Sequence, residues 1–163
     1  MPDKATIDRA KRDKQQGKSA STQAGEFVRK EIDNIREGKH GARNTKQAIA
    51  IGLSEARRAG VDLKQPKKGT VSEKTRANAK RDTEKGKRHE PVSKARSQAT
   101  VKALQKEGTE AASPRALSQQ ARSAAGKRSA ADRSASAKKA AATKGPRERS
   151  AAAKKAARTR AGR

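Results

Sequence analysis

The sequence predicts a mostly α-helical protein with extensive disorder, in which a small antiparallel helical hairpin bears basic, conditionally helical arms. Charged residues form 37% of the chain, apolar residues only 30%, and Phe27 is the one aromatic residue. Ordering the backbone costs roughly 1–2 kcal/mol per residue, whereas burying an aliphatic side chain returns about 1.5–3 kcal/mol. The apolar residues can therefore order only part of the chain, and high charge favours disorder in the rest. Where large aliphatic residues do occur, their spacing is helical.

The hairpin is predicted over residues 21–63, after a polar flexible arm formed by residues 1–20. Ser21 or Thr22 opens its first helix, because a short polar side chain can accept a hydrogen bond from an otherwise unpaired backbone N–H. An apolar stripe follows at helical spacing. Gly38 then ends this helix, as glycine commonly does.

The second helix of the hairpin is the most apolar window of the chain. Asn44 or Thr45 can cap its start, and Gly60 predicts a left-handed residue at its end. Ile49 and Leu53 fall on one helical face. The predicted hairpin core consists of Phe27, Val28, Ile32, Ile35, Ile49 and Leu53. Burying this core only roughly offsets the cost of ordering the hairpin, so we expect flanking helices, self-association or another partner to stabilise it.

The middle of the chain predicts weaker structure. Residues 64–91 read as a basic linker, in which residues 72–86 form a transient helix with nothing to bury. Residues 92–126 predict a weak second helical pair, which meets through Leu104 and Leu117.

Residues 127–163 form an Ala/Lys/Arg-rich tail with an internal repeat. The segment from Arg133 to Gly145, RSASAKKAAATKG, is echoed sixteen residues later by the segment from Arg149, RSAAAKKAARTRA. Alanine, lysine and arginine favour helix, but neighbouring like charges oppose it. Phosphates would remove this repulsion, so we expect a tail that is helical on nucleic acid and disordered without it. Gly145 and Pro146 divide it into two helices.

The positive charge rises along the chain and predicts a polyanionic partner. Residues 1–63 contain 14 Lys and Arg against 9 Asp and Glu, whereas residues 111–163 contain 15 against 2. Nucleic acid fits this gradient, and DNA fits better than RNA because the chain lacks exposed aromatic residues on which bases stack. The predicted phosphate contacts are Lys67, Lys68, Lys80, Arg81, Arg122, Lys127, Arg128, Arg133, Lys138, Lys139, Lys154, Lys155, Arg158 and Arg160.

Several functional classes are excluded by the same residues. The chain has no Cys, no secretory signal and no membrane-spanning run, which predicts a cytoplasmic protein. With the DNA binding predicted from its charge, we expect it to be nucleoid-associated. His40 and His89 lie apart in charged segments and read as solvated imidazoles, so no metal or cofactor is expected. Gly17-Lys18-Ser19 echoes the end of a P-loop, but Arg12 stands where that motif requires glycine. Carboxylates such as Glu55 read as solvated charges of helix surfaces, and no enzyme activity is predicted.

One resemblance accompanies these inferences. The run from Lys46 to Ala56, KQAIAIGLSEA, resembles a motif shared by an uncharacterised family of small basic bacterial proteins. Some members are labelled DNA-binding or plasmid stabilisation proteins, so the resemblance implies DNA binding and provides no catalytic residue. The likeness covers residues 20–63, and the tail is similar in composition to the C-terminal tails of linker histones and bacterial histone-like proteins.

The sequence therefore predicts a histone-like protein that binds DNA through phosphates without sequence specificity, on the nucleoid or on plasmids. Two alternatives remain open. One is a hydrophilin-like stress protein, whose charged and small residues retain water. The other is a basic protein associated with RNA or the ribosome.

Overall fold

The computed structural model describes residues 3–88, 90, 93–143 and 145–162, and this part of the chain is mostly helical. Its elements are α1 (Lys4–Gln15), α2 (Ala20–Arg36), α3 (Thr45–Arg58), α4 (Glu73–Lys87), α5 (Lys94–Leu104), a short 3₁₀ helix η1 (Glu110–Ala112), α6 (Pro114–Gly126), α7 (Ala130–Thr143) and α8 (Pro146–Ala161). The chain divides into a first unit that ends at Gln120 and a second that begins at Ala121. Among the described helices, none combines the length and the apolar character that crossing a membrane requires.

The first unit begins with α1, which packs on α2 through small side chains. Asp3 caps α1 by accepting a hydrogen bond from the Thr6 amide at 2.7 Å. Gly17, at a φ of +69°, ends the turn after α1, and Ser19 caps α2. Ala10 is buried in a cluster with four residues of the next two helices and the loop after them, namely Ala24, Phe27, Ala56 and Val61. The predicted flexible arm is therefore a packed helix, and the P-loop-like residues form the turn between two helices.

Helix α3 packs on α2 through small residues rather than through its large aliphatic ones. The buried apolar positions of α3 are Ala48, Gly52 and Ala56, whereas Ile49 is only half-buried and belongs to neither apolar cluster. A β-carbon at position 52 would lie 2.7 Å from the Cα of Val28, so the two helix backbones touch at this glycine. The predicted core is correct for Phe27, Ile32 and Ile35, which are buried. Val28 and Leu53 are half-buried and pack against the clusters. Ile49 is the exception.

Helix α4 packs against α3, which contradicts the prediction that it has nothing to bury. Asp82 is buried, and its two carboxylate oxygens accept hydrogen bonds from Ser54 Oγ at 2.6 Å and from Arg58 Nε at 2.8 Å. A β-carbon at Gly86 would lie 2.1 Å from the backbone oxygen of Arg57. Gly86, at the end of the helix predicted over residues 72–86, thus provides a close contact with α3, and α4 ends one residue later.

Both helices predicted within residues 92–126 are present as α5 and α6, and the segment between them docks on the loop between α2 and α3. The Gly41 amide donates to the Leu104 carbonyl at 2.9 Å, and the Ala42 amide donates to the Gly108 carbonyl at 3.0 Å. Thr45 Oγ1 donates to the Ala111 carbonyl at 2.7 Å. The first apolar cluster consists of Ile32, Ile35, Ala42, Ala48, Ala111 and Ala112, with Val28 and Leu117 packed against it. The two-helix hairpin is therefore part of a larger core that η1 and the start of α6 complete.

The second unit consists of the last turns of α6, followed by α7 and α8. Every side chain described in it is exposed, so it has no core among the described residues. The structure shows helix where the sequence predicts a segment that is disordered without a partner, and the predicted extensive disorder is not supported. The division of the tail before Pro146 is confirmed, because α8 begins there with Gly145 as its N-cap.

Candidate nucleic-acid interface

The predicted phosphate contacts divide between the two units, and all fourteen side chains are exposed. Four belong to the first unit and ten to the second. Residues 121–163 contain 14 Lys and Arg against 2 Asp and Glu, so few of these cations have a carboxylate within the segment with which to pair. The tail is thus a set of exposed helices with a large excess of positive charge.

The sixteen-residue repeat corresponds to one helix per copy. Helices α7 and α8 begin sixteen residues apart, at Ala130 and Pro146. Equivalent cations therefore occupy equivalent helical positions, and Lys138 of α7 corresponds to Lys154 of α8. The repeat presents the same spacing of positive charge twice, each time on an exposed helix.

Two of the tail arginines have local hydrogen-bond partners. Arg128 donates to the Asp132 carbonyl at 2.9 Å and to the Ser136 hydroxyl. Arg133 donates to the Arg128 carbonyl at 2.9 Å. Both guanidinium groups fold back over the start of α7, where they remain exposed and positively charged.

The four predicted residues of the first unit lie on the loop before α4 and on its outer side. Lys67 and Lys68 belong to a tight turn in which Gly69 has a φ of +81° and Thr70 Oγ1 donates to the Lys67 carbonyl at 2.7 Å. On α4, Lys80 pairs with Glu84 at 3.9 Å, and Arg81 donates to Asn78. Because Asp82 faces α3, these cations point outward on the opposite side of α4.

Sequence reasoning missed two exposed arginines of α8, Arg147 and Arg149. The spacing of the sequence could have indicated them, because Arg147 precedes the predicted contact Arg158 by eleven residues and Arg149 precedes Arg160 by eleven residues. Eleven residues are about three helical turns, so the two members of each pair lie on the same side of the helix.

A buried polar cluster lies between α2, α3 and the loop that joins them. Glu31 is 2% exposed, and its Oε2 lies 3.5 Å from Nε2 of His40, while Oε1 has no hydrogen-bond partner among the described residues. His40 Nδ1 lies 3.1 Å from the Gly41 carbonyl. The solvated imidazole predicted at this position is therefore wrong, and His89 lies outside the described residues.

Burial controls the titration of this cluster. It raises the pKa of Glu31 to about 7, against the attraction of His40 and with a smaller contribution from the negative charge of Glu55. Burial also raises the pKa of Glu55, so this carboxylate is not the solvated charge that the sequence predicts. Among the described residues, no group of three or more potential ligands could hold a metal ion.

Comparison with known proteins relates part of the chain to a protein family. Residues 5–69 match the model of a family of unknown function (DUF6496), and this range extends from α1 through α3 to the turn at Gly69. No curated protein matches the chain, and no solved structure matches it. The predicted likeness to an uncharacterised family is thus supported for the helical core of the first unit, and the match leaves out α4 and the entire tail.

Proposed function

We propose that this protein binds duplex DNA through its phosphates, without sequence specificity, and uses residues 121–163 as the main contact surface. The observation that supports this is the combination of 14 cations and 2 acids in a helical segment whose described side chains are all exposed. Helices that bury nothing gain no stability from packing, and their like charges repel one another. A line of phosphates offsets that repulsion and releases counterions, which favours binding.

The aromatic content favours backbone contacts over base stacking. Phe27 is the only aromatic residue in the sequence, and it is fully buried between α1, α2 and α3. Proteins that recognise single-stranded nucleic acid commonly stack bases on exposed aromatic side chains. Since this chain has none to offer, phosphates are the part of the nucleic acid that it can recognise most strongly. The proposal places the protein on the nucleoid or on plasmids of a bacterial cell.

The proposal is tested by the salt dependence of binding to a short duplex DNA. If about ten phosphates are contacted, log K falls against log salt with a slope near −9. In the full-length chain, replacing the ten predicted tail cations by Gln should remove most of that slope. Replacing Lys67, Lys68, Lys80 and Arg81 by Gln provides the comparison and should reduce it by no more than about 4. Circular dichroism shows whether each variant retains its helices.

Several outcomes would contradict the proposal. Binding that does not respond to salt, or that survives neutralisation of the tail, would exclude the tail as the phosphate-binding surface. The absence of any complex with DNA, together with protection of a client enzyme during drying, would favour the hydrophilin-like alternative. Preferential binding to ribosomal RNA in competition with duplex DNA at the same salt concentration would favour the RNA-associated alternative.

A further inference from the structure

Five of the six cations of α8 form two rows along the helix, and the sixth, Lys155, lies outside both rows, on the side of Glu148. At about 100° per residue, Arg147, Lys154 and Arg158 lie within roughly 40° of one another. We call these residues the 147 row. Arg149 and Arg160, which we call the 149 row, lie within roughly 20° of one another on another side of the helix. All five side chains are exposed, so both rows are available to a partner at the same time.

The sector between the two rows bears no charged or large aliphatic side chain. The rows flank this sector at roughly 70–80° on either side of its centre. The sector contains Pro146, Ser150, Ala153, Ala157 and Ala161, all of them exposed. Glu148 lies on the opposite side of α8, about 180° from the centre of the sector. A negatively charged surface that approached this sector would therefore meet cations on both sides and would be farthest from the acidic residue.

The major groove of B-form DNA has the shape that this helix requires. Its width of about 12 Å admits an α-helix, and a phosphate backbone forms each wall. An α-helix with its side chains is about 10–12 Å across, so extended arginines on the two flanks can reach opposite walls. The small side chains between the rows allow the helix axis to approach the floor of the groove.

We propose that α8 lies in the major groove of duplex DNA, with the 147 row on one phosphate backbone and the 149 row on the other. This inference rests on the proposed function and adds a binding mode and a choice of partner. The major groove of A-form RNA is deep and too narrow for side chains to read. The arrangement therefore favours DNA over double-stranded RNA, although both carry the same phosphates.

Helix α7 provides an internal contrast, because its cations form no such rows. Arg133, Lys138 and Lys139 are distributed around that helix at intervals of roughly 100–140°. A single groove could engage them only in part. The two helices share a repeat, but α8 alone of the two has a paired arrangement of cations.

The experiment measures the affinity of the full-length protein for a short duplex DNA, and for a duplex RNA of the same sequence, over a salt series. R149Q/R160Q should weaken DNA binding by roughly 10- to 50-fold at 0.1 M salt and lower the magnitude of the salt slope by about 1.8. R147Q/R158Q should have a similar effect, because both rows contact the same duplex. K11Q/K14Q removes two exposed charges from α1 and should have a much smaller effect.

A charge-preserving variant separates arrangement from charge. In R149A/A152R/T159R/R160T, two arginines move to the outward side of α8 while composition and net charge stay the same. We expect this variant to bind duplex DNA as weakly as R149Q/R160Q and duplex RNA as well as the wild type. Wild-type affinity of this variant for DNA would overturn the proposal, as would equal affinity of the wild-type protein for the two duplexes. If the wild-type protein showed no salt-dependent binding to duplex DNA at all, the proposed function itself would be overturned.

Discussion

The two units of this protein are both helical, but their helices are stabilised by different means. In the first unit, α1, α2 and α3 bury apolar side chains in two clusters, and α4 packs on α3 around the buried Asp82. The loop at Gly41 is hydrogen-bonded to the end of α5 and to the segment that follows it. In the second, no described side chain is buried. The helices of the tail are therefore stabilised only by local propensity and caps. The comparison shows that helix content alone does not identify a folded core. Where helices bury no side chains, their charge has the largest influence on whether they stay helical and on what they bind.

The largest expected effect concerns the buried aromatic side chain of the first unit, the unit that has a packed core. Phe27→Ala removes a fully buried ring from the cluster that joins α1, α2 and α3. We expect it to lower the free energy of unfolding by about 3–5 kcal/mol, because it leaves a cavity. Urea denaturation followed by circular dichroism at 222 nm measures the change.

Val101→Ala is the matched control for that substitution, because Val101 is 40% exposed. It should change the free energy of unfolding by less than about 1 kcal/mol. A similar loss for Phe27→Ala and Val101→Ala would show that the first unit lacks the well-packed core described above.

A close approach between helix backbones provides the second prediction. Gly52→Ala should lower the free energy of unfolding by about 2–3 kcal/mol, because its β-carbon would overlap the backbone of Val28 and force α2 and α3 apart. Thermal unfolding of the variant measures the loss.

Gly25→Ala is the corresponding control, because a β-carbon at that position in α2 meets no atom within 4 Å. There the usual advantage of alanine within a helix should raise the free energy of unfolding by about 0.5–1 kcal/mol. Stabilisation by both substitutions would contradict the close contact at Gly52.

The buried carboxylate of Glu31 predicts that the stability of the first unit depends on pH. Because the pKa of Glu31 is raised to about 7, the folded state binds this proton more tightly than the unfolded state. The contribution of Glu31 to stability is therefore greatest below about pH 4.5, and it declines as the pH rises to about 7. Glu31→Gln should raise the free energy of unfolding by about 1–2 kcal/mol at pH 8, and this gain should vanish near pH 4.

His40 and Glu55 face Glu31 in this cluster, and Asp3 and Arg58 act on Glu55. Thermal melts from pH 4 to 8 test the prediction, with exposed Glu37→Gln as the control. A loss of stability in Glu31→Gln at pH 8 would show that the interaction of ionised Glu31 with His40 outweighs the cost of burial.

The smallest expected effect comes from removing equivalent helix caps in the two units. Ser72 caps α4 by accepting from the Thr75 amide at 3.2 Å, and Ser129 caps α7 by accepting from the Asp132 amide at 3.0 Å. Ser72→Ala should cost about 0.5–1 kcal/mol in the cooperative unfolding of the first unit. Ser129→Ala should lower the circular dichroism signal at 222 nm that comes from the tail helices, and it should leave the cooperative unfolding transition of the first unit unchanged. A lower melting temperature in both variants would mean that α7 unfolds together with the core.

The sequence by itself determined the features that depend on neighbouring residues. The Asn44 cap of α3 is confirmed, because its side chain accepts from the Gln47 amide at 2.9 Å. Gly60 has the predicted positive φ, and α6 begins at Pro114 and ends at Gly126, within the segment where a helix was predicted. The exposure of the tail cations also follows from the sequence, because that segment has almost no large apolar side chain to bury.

Only the tertiary structure decided which faces meet. The apolar stripe of α3 predicts burial of Ile49, yet Gly52 and its small neighbours are buried instead, because two helix backbones gain more contact when no side chain separates them. Gly41 and Gly86 likewise have partners far away in the chain, which no local pattern reveals. Glu31 lies between Phe27 and Ile35 on the buried face of α2, so helical spacing places it toward the core. Only the tertiary structure decided that His40, from the loop between α2 and α3, would face its carboxylate at 3.5 Å.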